Sequence, residues 1–295
     1  MTMRYDIRLR LGYEYQDVVA DARHLVRVAP RDLPGVQQVQ GLRLRIDPAP
    51  SERDAFEDFF GNRVTSIALR TPHDAFEVEM RAQVRVDRGQ QEVLDLSPGM
   101  DGLRAELAAR QSLAPDSPWH FLPPSARVPV LPRITAYAAG SLREAGSVLG
   151  AVRQFGRRLQ RDFGYDAEAT EVDTPIGEAF DMRAGVCQDF SHIMISGLRG
   201  LGIPAGYVSG FLRTIPPAGE ARLEGADATH AWVRAWCGER MGWREFDPTN
   251  GIAAGDDHIT IGYGRDYDDI SPIAGVLKTR GAQRATQAVD VVPLD

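Results

Sequence analysis

Residues 185–198 read Gly185-Val186-Cys187-Gln188-Asp189-Phe190-Ser191-His192-Ile193-Met194-Ile195-Ser196-Gly197-Leu198. Phe190, Met194 and Leu198, with Leu201 beyond, form one apolar stripe at helical spacing, and Gly200 and Gly202 supply a stop. The spacing predicts a helix that opens at Cys187, with Gly185 freeing the backbone before it. A first-turn cysteine sits among N–H groups that have no intrahelical partner, and the helix dipole there favours thiolate over thiol. The same N–H groups can donate to an oxyanion. A lone cysteine is more often a small buried hydrophobe than a nucleophile. The reading therefore turns on what the rest of the chain brings to this helix.

The second decisive stretch is His230-Ala231-Trp232-Val233-Arg234-Ala235-Trp236, followed by a turn over 238–242 and a returning strand over 243–247. Paired symmetrically about the turn, Trp236 faces Met241, Trp232 faces Glu245 and His230 faces Asp247. Directly opposed residues hold their Cβ atoms about 4.5–5.5 Å apart, within reach of a histidine–carboxylate hydrogen bond. That bond fixes the imidazole tautomer and stabilises an imidazolium. Taken singly, His230 reads as a strand-edge histidine on a carbonyl, and Asp247 as the start of an Asx turn before Pro248-Thr249-Asn250-Gly251. Together with a thiol at a helix start, they read as nucleophile (Cys187), base (His230) and orienting carboxylate (Asp247).

Working outward, residues 1–90 are expected to be all-β. Tyr5, Ile7, Leu9, Leu11, Tyr13 and Tyr15 alternate with polar neighbours, as do Leu42, Leu44 and Ile46, and 76–86. Phe59-Phe60-Gly61-Asn62 reads as a turn into a strand over 64–69. Short strands between Pro, Gly and Asp clusters predict a β-sandwich. Seven of the 19 prolines lie between Pro98 and Pro132, which reads as a surface connector over 91–133 with one helix near 101–113. A helix is expected over 142–163, and a short one from a Thr174-Pro175 cap to 181. Strands follow at 207–212, 230–236 and 243–247. Helices first and an antiparallel sheet second give an α+β catalytic domain over 134–295.

Composition narrows the function classes. The net charge of −7 among 295 residues argues against a general nucleic-acid or anionic-membrane binder. The charged opening lacks the apolar core of a signal peptide, and no run suits a membrane helix. With only Cys187 and Cys237 there is no disulfide framework, and a cytoplasmic location is expected. No metal or other cofactor is expected: Asp256, Asp257, Asp266, Asp268 and Asp269 lack EF-hand spacing and read as a solvated loop face, and zinc signatures are missing. His192, about 140° round the helix from Cys187, reads as structural, bonded to the sandwich or to a carbonyl. Asp189 reads as serving the helix dipole or a nearby arginine. Cys237 reads as inert.

The segments GVCQDFSH, HAWVRAW and GWREFDPTNG closely resemble the three core motifs of the transglutaminase-like superfamily. The opening RYDIRLRLGYEY, the DFFGN turn and GYGRDYDDISPIAG resemble a bacterial branch in which a β-sandwich precedes a papain-like transglutaminase core. The resemblance covers nearly the whole chain. It implies a thiol enzyme acting through an acyl-enzyme, with Cys187, His230 and Asp247 in the triad positions. The Cys187 backbone N–H is expected to hold the oxyanion, with Tyr165 as the second donor. Trp232 is expected in the core or walling the substrate cleft. The expected activity is that of a cysteine peptidase or amidase on a peptide or protein substrate. Protein-glutamine gamma-glutamyltransfer is the alternative within enzymes, and a non-catalytic binding module the alternative outside them. Oligomeric state is left open.

Overall fold

The computed structural model describes residues 2–89, 94–214 and 227–294. Six strands come first: β1 (Met3–Val19), β2 (Asp21–Val26), β3 (Gln37–Asp47), β4 (Glu52–Glu57), β5 (Arg63–Leu69) and β6 (His73–Val86). Period-2 alternation decides what each buries. β1 turns Tyr5, Ile7, Leu9, Leu11 and Tyr15 inward, and β6 does the same with alternate residues from Phe76 to Val86. The two pair antiparallel, and β3 lies on the other side of β6. A second sheet runs β2-β5-β4, ending on a fully exposed, charged edge strand, a composition that discourages edge-to-edge association. Gly61, at φ +73°, takes the left-handed turn expected between Asp58 and the start of β5.

The second half contains α1 (Met100–Ala109), α2 (Pro132–Ala145), α3 (Val148–Asp162), β7 (Gly164–Tyr165), α4 (Ile176–Met182), β8 (Ala184–Gly185), α5 (Cys187–Gly200), β9 (Ala205–Leu212), β10 (Ala228–Trp236), β11 (Trp243–Asp247), β12 (Ile252–Ala253), β13 (His258–Gly264) and α6 (Tyr267–Ile270). The sheet runs β12-β11-β10-β9-β13, antiparallel throughout. The predicted stripe of α5 is realised: Phe190, Met194 and Leu198 are buried, as are Ile193 and Ile195, in one core with α2, α3 and the sheet. The fold is α+β, as expected.

Three expectations are corrected. The single helix over 142–163 is two: α2 begins inside the proline-rich stretch and ends at Gly146, at φ +70°, and the Ser147 hydroxyl then caps α3 by accepting from Gly150 N–H. At the short helix, Pro175 rather than Thr174 holds the N-cap position. The boundary that gave 134–295 wholly to the second domain fails at its C-terminal end. β14 (Ile273–Lys278) pairs with β2, and β15 (Gln283–Leu294) pairs with β1 along twelve residues of register. The sandwich is thus built from both ends of the chain, its sheets reading β15-β1-β6-β3 and β14-β2-β5-β4. Alternation in 283–294 is weak because the first half of β15 is exposed, so the sequence carries little sign of its destination.

The sandwich also covers the free edge of β13, and it does so with side chains. Gln37 donates from Nε2 to Thr260 O (2.8 Å) and accepts from Thr260 N–H at Oε1 (2.8 Å). Asn62 donates to Tyr263 O (2.8 Å) and accepts from Tyr263 N–H (2.8 Å). Each amide thereby mimics a peptide group of an absent neighbouring strand, meeting the donor and acceptor that a buried edge must satisfy. Both side chains are buried.

Candidate active site

Cys187 is the first residue of α5, after Val186 at the N-cap. Asp189 reaches back to accept Val186 N–H (2.8 Å) and also takes the Thr170 hydroxyl (2.6 Å). Of the two roles expected of Asp189, the first-turn one is taken, and no arginine is among these partners. A Cβ at Gly185 would lie 2.5 Å from the Asp189 carboxylate oxygen, so glycine is required there to make room for the cap. With Asp189 turned to Val186, the Cys187 and Gln188 N–H groups have no partner among the described residues and are left as donors of the first turn. Cys187 is partly exposed, whereas Cys237 is buried, with its thiol pushed up to about 12 by burial.

His230 brings β10 to this helix end. Its Nε2 lies 2.8 Å from Asp247 Oδ2, and the Cys187 side chain is close enough to the ring to act on its proton affinity. Because Nε2 engages the carboxylate, Nδ1 is the atom left for sulfur. The expected register of the hairpin is two residues off. Trp236 pairs with Trp243 and Arg234 with Glu245, because the turn absorbs two further residues, with Cys237 N–H closing on Gly242 O and left-handed glycines at 238 and 242. A slip of two preserves the face of every side chain. His230 therefore meets Asp247 diagonally rather than directly across, and Trp232 meets Glu245 in the same diagonal way (2.7 Å).

Asp247 is fully buried and densely bonded. Oδ1 accepts from the Thr249 and Asn250 N–H groups (2.9 and 3.1 Å), and Oδ2 from Asn250 Nδ2 (2.7 Å) as well as His230. The Asx turn and the histidine pairing thus coexist. Burial pushes the Asp247 carboxyl up, but the bonds from His230 and from a second histidine, His258, outweigh it and hold it well below the usual range. Burial pushes the His230 ring down, and the Asp247 bond together with Cys187 reverses this, raising it to about 10. Both shifts favour the carboxylate–imidazolium form of the pair.

Tyr165 pairs with Gly185 through the β7–β8 bridge, beside the start of α5. Its hydroxyl is pushed up by burial and then by the neighbouring Cys187, so it remains a protonated donor. Of the two places expected for Trp232, the core is the one it takes: it is fully buried, its indole N–H bonded to Glu245, and the cleft-wall alternative is corrected. His192 is buried and structural, but its partner is an N–H group: Nε2 accepts from Tyr267 N–H (3.2 Å), and burial lowers it to about 3. Of the acidic loop residues, only Asp268 is exposed as expected of a solvated face, and the others are buried or half-buried. Asp266 is buried and caps α6, Asp257 accepts from Tyr5 and Arg213, Asp256 from Arg88 N–H, Asp268 from Arg127, and Asp269 from Arg265.

Sequence reasoning missed His258 and the pair Arg88–Glu245. Arg88, just past β6, donates to Glu245 (2.9 Å), to the Thr260 hydroxyl (2.7 Å) and to His258 O (3.2 Å). His258 opens an alternating strand beside two aspartates, which was its only sequence signal. Among the described residues, one group of three brings metal-ligand atoms within 4.8 Å of each other: His230, Asp247 and His258. Their facing atoms are already joined by hydrogen bonds.

Residues 5–85 match the bacterial transglutaminase-like N-terminal region, and residues 135–248 match the transglutaminase-like superfamily. An uncharacterized protein of Mycobacterium tuberculosis is 32% identical over 310 residues, covering 100% of this chain and 94% of the relative. One from Mycobacterium leprae is 31% identical, with 96% of each covered. The chain belongs to the transglutaminase-like superfamily. In fold it resembles a Cytophaga hutchinsonii protein described as a candidate cysteine protease, at a TM-score of 0.73 and 20% identity, covering 100% of this chain and 92% of that one.

Proposed function

We propose that the protein is a thiol-dependent acyl-transfer enzyme, a cysteine peptidase or amidase that cleaves a peptide or isopeptide bond through an acyl-enzyme on Cys187. The observation that carries this reading is one imidazole, His230, bonded to Asp247 at 2.8 Å and set within electrostatic reach of Cys187 at the start of α5. Cys187 Sγ attacks the amide carbonyl, and the C–N bond breaks as His230 delivers its proton to the departing amine. The proton on Nε2 stays with His230, held by Asp247, which stabilises the cation without taking the proton. The oxyanion is received by the Cys187 N–H, with the Tyr165 hydroxyl as second donor. Water then attacks the thioester with His230 as base, and the C–S bond breaks to release the acid and restore the thiolate beside the protonated His230.

Iodoacetamide labelling at pH 7, read at Cys187 by peptide mapping, tests the centre. Labelling faster than that of an ordinary exposed thiol is expected, together with a loss of at least tenfold in His230→Ala; equal rates in the two proteins would point to a binding module. A peptide library scored by mass spectrometry, with and without a labelled primary amine, tests the reaction. Cleavage that disappears in Cys187→Ala is expected, and amine incorporation outpacing cleavage would mark a transferase instead.

A further inference from the structure

His258 stands on β13, a strand that carries none of the residues assigned above to the reaction, yet its ring points at the same oxygen that holds His230. Its Nε2 lies 3.2 Å from Asp247 Oδ2, and its Nδ1 accepts the Gly255 N–H at 3.1 Å. An imidazole whose Nδ1 accepts a backbone N–H carries its proton on Nε2 and is neutral. His258 is therefore a donor to Asp247, buried to 1% exposure and set edge-on to Trp232 at 5.2 Å.

Asp247 Oδ2 accordingly receives three donors: Asn250 Nδ2 at 2.7 Å, His230 Nε2 at 2.8 Å and His258 Nε2 at 3.2 Å. A carboxylate oxygen has two lone pairs, so three donors compete for its charge. Two of them, Asn250 and His258, leave less for His230. An imidazolium held by an unshared buried carboxylate would be a reluctant acid, and the leaving amine needs its proton. Asp247 keeps its orientation without His258, because its own turn supplies the Thr249 and Asn250 bonds.

We propose that His258 is a positioning residue for the thiol centre, a neutral donor that shares the Asp247 oxygen with His230 and so sets how firmly His230 keeps its proton. The inference rests on the reading of Cys187, His230 and Asp247 as that centre. The other charged and titratable groups around it are accounted for. Cys187 faces His230 from α5, Glu245 is held by Arg88 and Trp232, and Arg88 also binds the His258 carbonyl. Asp257, the residue before His258, is bonded to Tyr5 and Arg213.

Two substitutions separate this role from a merely structural one. His258→Asn places an amide oxygen near the Nδ1 position, where it keeps the Gly255 bond, and removes the donor to Asp247. His258→Gln extends an amide nitrogen toward the Nε2 position, keeping that donor and losing the Gly255 bond. The readout is the titration of His230 in protein carrying 13C-labelled histidine, with its signal assigned by its disappearance in His230→Gln. In His258→Asn the His230 titration is expected to move up by about 0.5–1 pH unit, with Cys187 still labelled by iodoacetamide at pH 7. His258→Gln is expected to stay within about 0.2 unit of the parent. An unmoved His230 titration in His258→Asn overturns the inference. So does a shift confined to His258→Gln, since the Gly255 bond would then be the feature that matters. If the parent protein shows no His230-dependent labelling of Cys187, the reading of the thiol centre has failed instead.

Discussion

Arg88→Met is the most informative single perturbation of the contact between the sandwich and the sheet that carries His230 and Asp247. The Arg88 side chain is 9% exposed and its partner Glu245 14%, so solvent screens the pair little. The substitution keeps most of the aliphatic stem and the Arg88 N–H bond to Asp256 (2.7 Å), and it deletes three side-chain bonds. An exposed ion pair is worth about 0–1 kcal/mol, whereas stripping one partner from a buried pair costs about 3–5 kcal/mol. Glu245 keeps the Trp232 indole and the Tyr263 hydroxyl as donors (2.7 and 2.9 Å), which places the expected loss at the lower end, about 3 kcal/mol. At about 2–4 °C per kcal/mol, the apparent Tm falls by about 6–12 °C. The sign with pH is fixed as well. Burial pushes Glu245 up, but Arg88 and the two neutral donors hold it below its ordinary 4.5. A depressed carboxyl adds stability above its unfolded value and loses it as pH falls through its folded one. The gap between parent and variant is therefore full at pH 7 and narrows in acid below about 4.5. Thermal melts across pH, with Glu245→Gln completing a double-mutant cycle, measure this. A drop under 2 °C at pH 7, a gap that widens in acid, or strict additivity in the cycle would refute the argument.

Asn62→Ala removes four side-chain bonds, to Tyr263 N–H and O, Asp58 and Arg31. It is expected to cost about 2–4 kcal/mol at about 1 kcal/mol per bond, and to speed hydrogen exchange at the Tyr263 amide, as mass-spectrometric exchange would register. His230→Gln should destabilise most below pH 6.5. The raised His230 contributes fully below its unfolded value and loses that contribution as pH climbs toward about 10, so urea unfolding at pH 6 and pH 9.5 should show the difference shrinking. Gly156→Ala should cost about 1–3 kcal/mol by overpacking, because the new Cβ would sit 2.1 Å from the Phe246 ring; a melt matching the parent would show that α3 and β11 can part without strain.

The sequence by itself determined whatever is written in local periodicity. The stripe of Phe190, Met194 and Leu198, the alternation from Tyr5 to Tyr15 and from Phe76 to Val86, and the turn signals at Gly61 and Gly238 all became the elements they announced. The meeting of His230 with Asp247 also followed from parity: a strand has two faces, and a register wrong by two residues keeps each side chain on its own. What only tertiary structure decided lies beyond that period. The hairpin register depended on how many residues the turn absorbs, and the split at Gly146 on a single left-handed glycine. The return of β14 and β15 to the sandwich depended on partners more than 200 residues away. His258 and Arg88 belong to the same group, for they matter through a shared oxygen and a buried carboxylate supplied by other strands. Spacing along the chain holds no record of which strands will lie side by side, because that is settled when packing selects one arrangement of faces that several would satisfy locally.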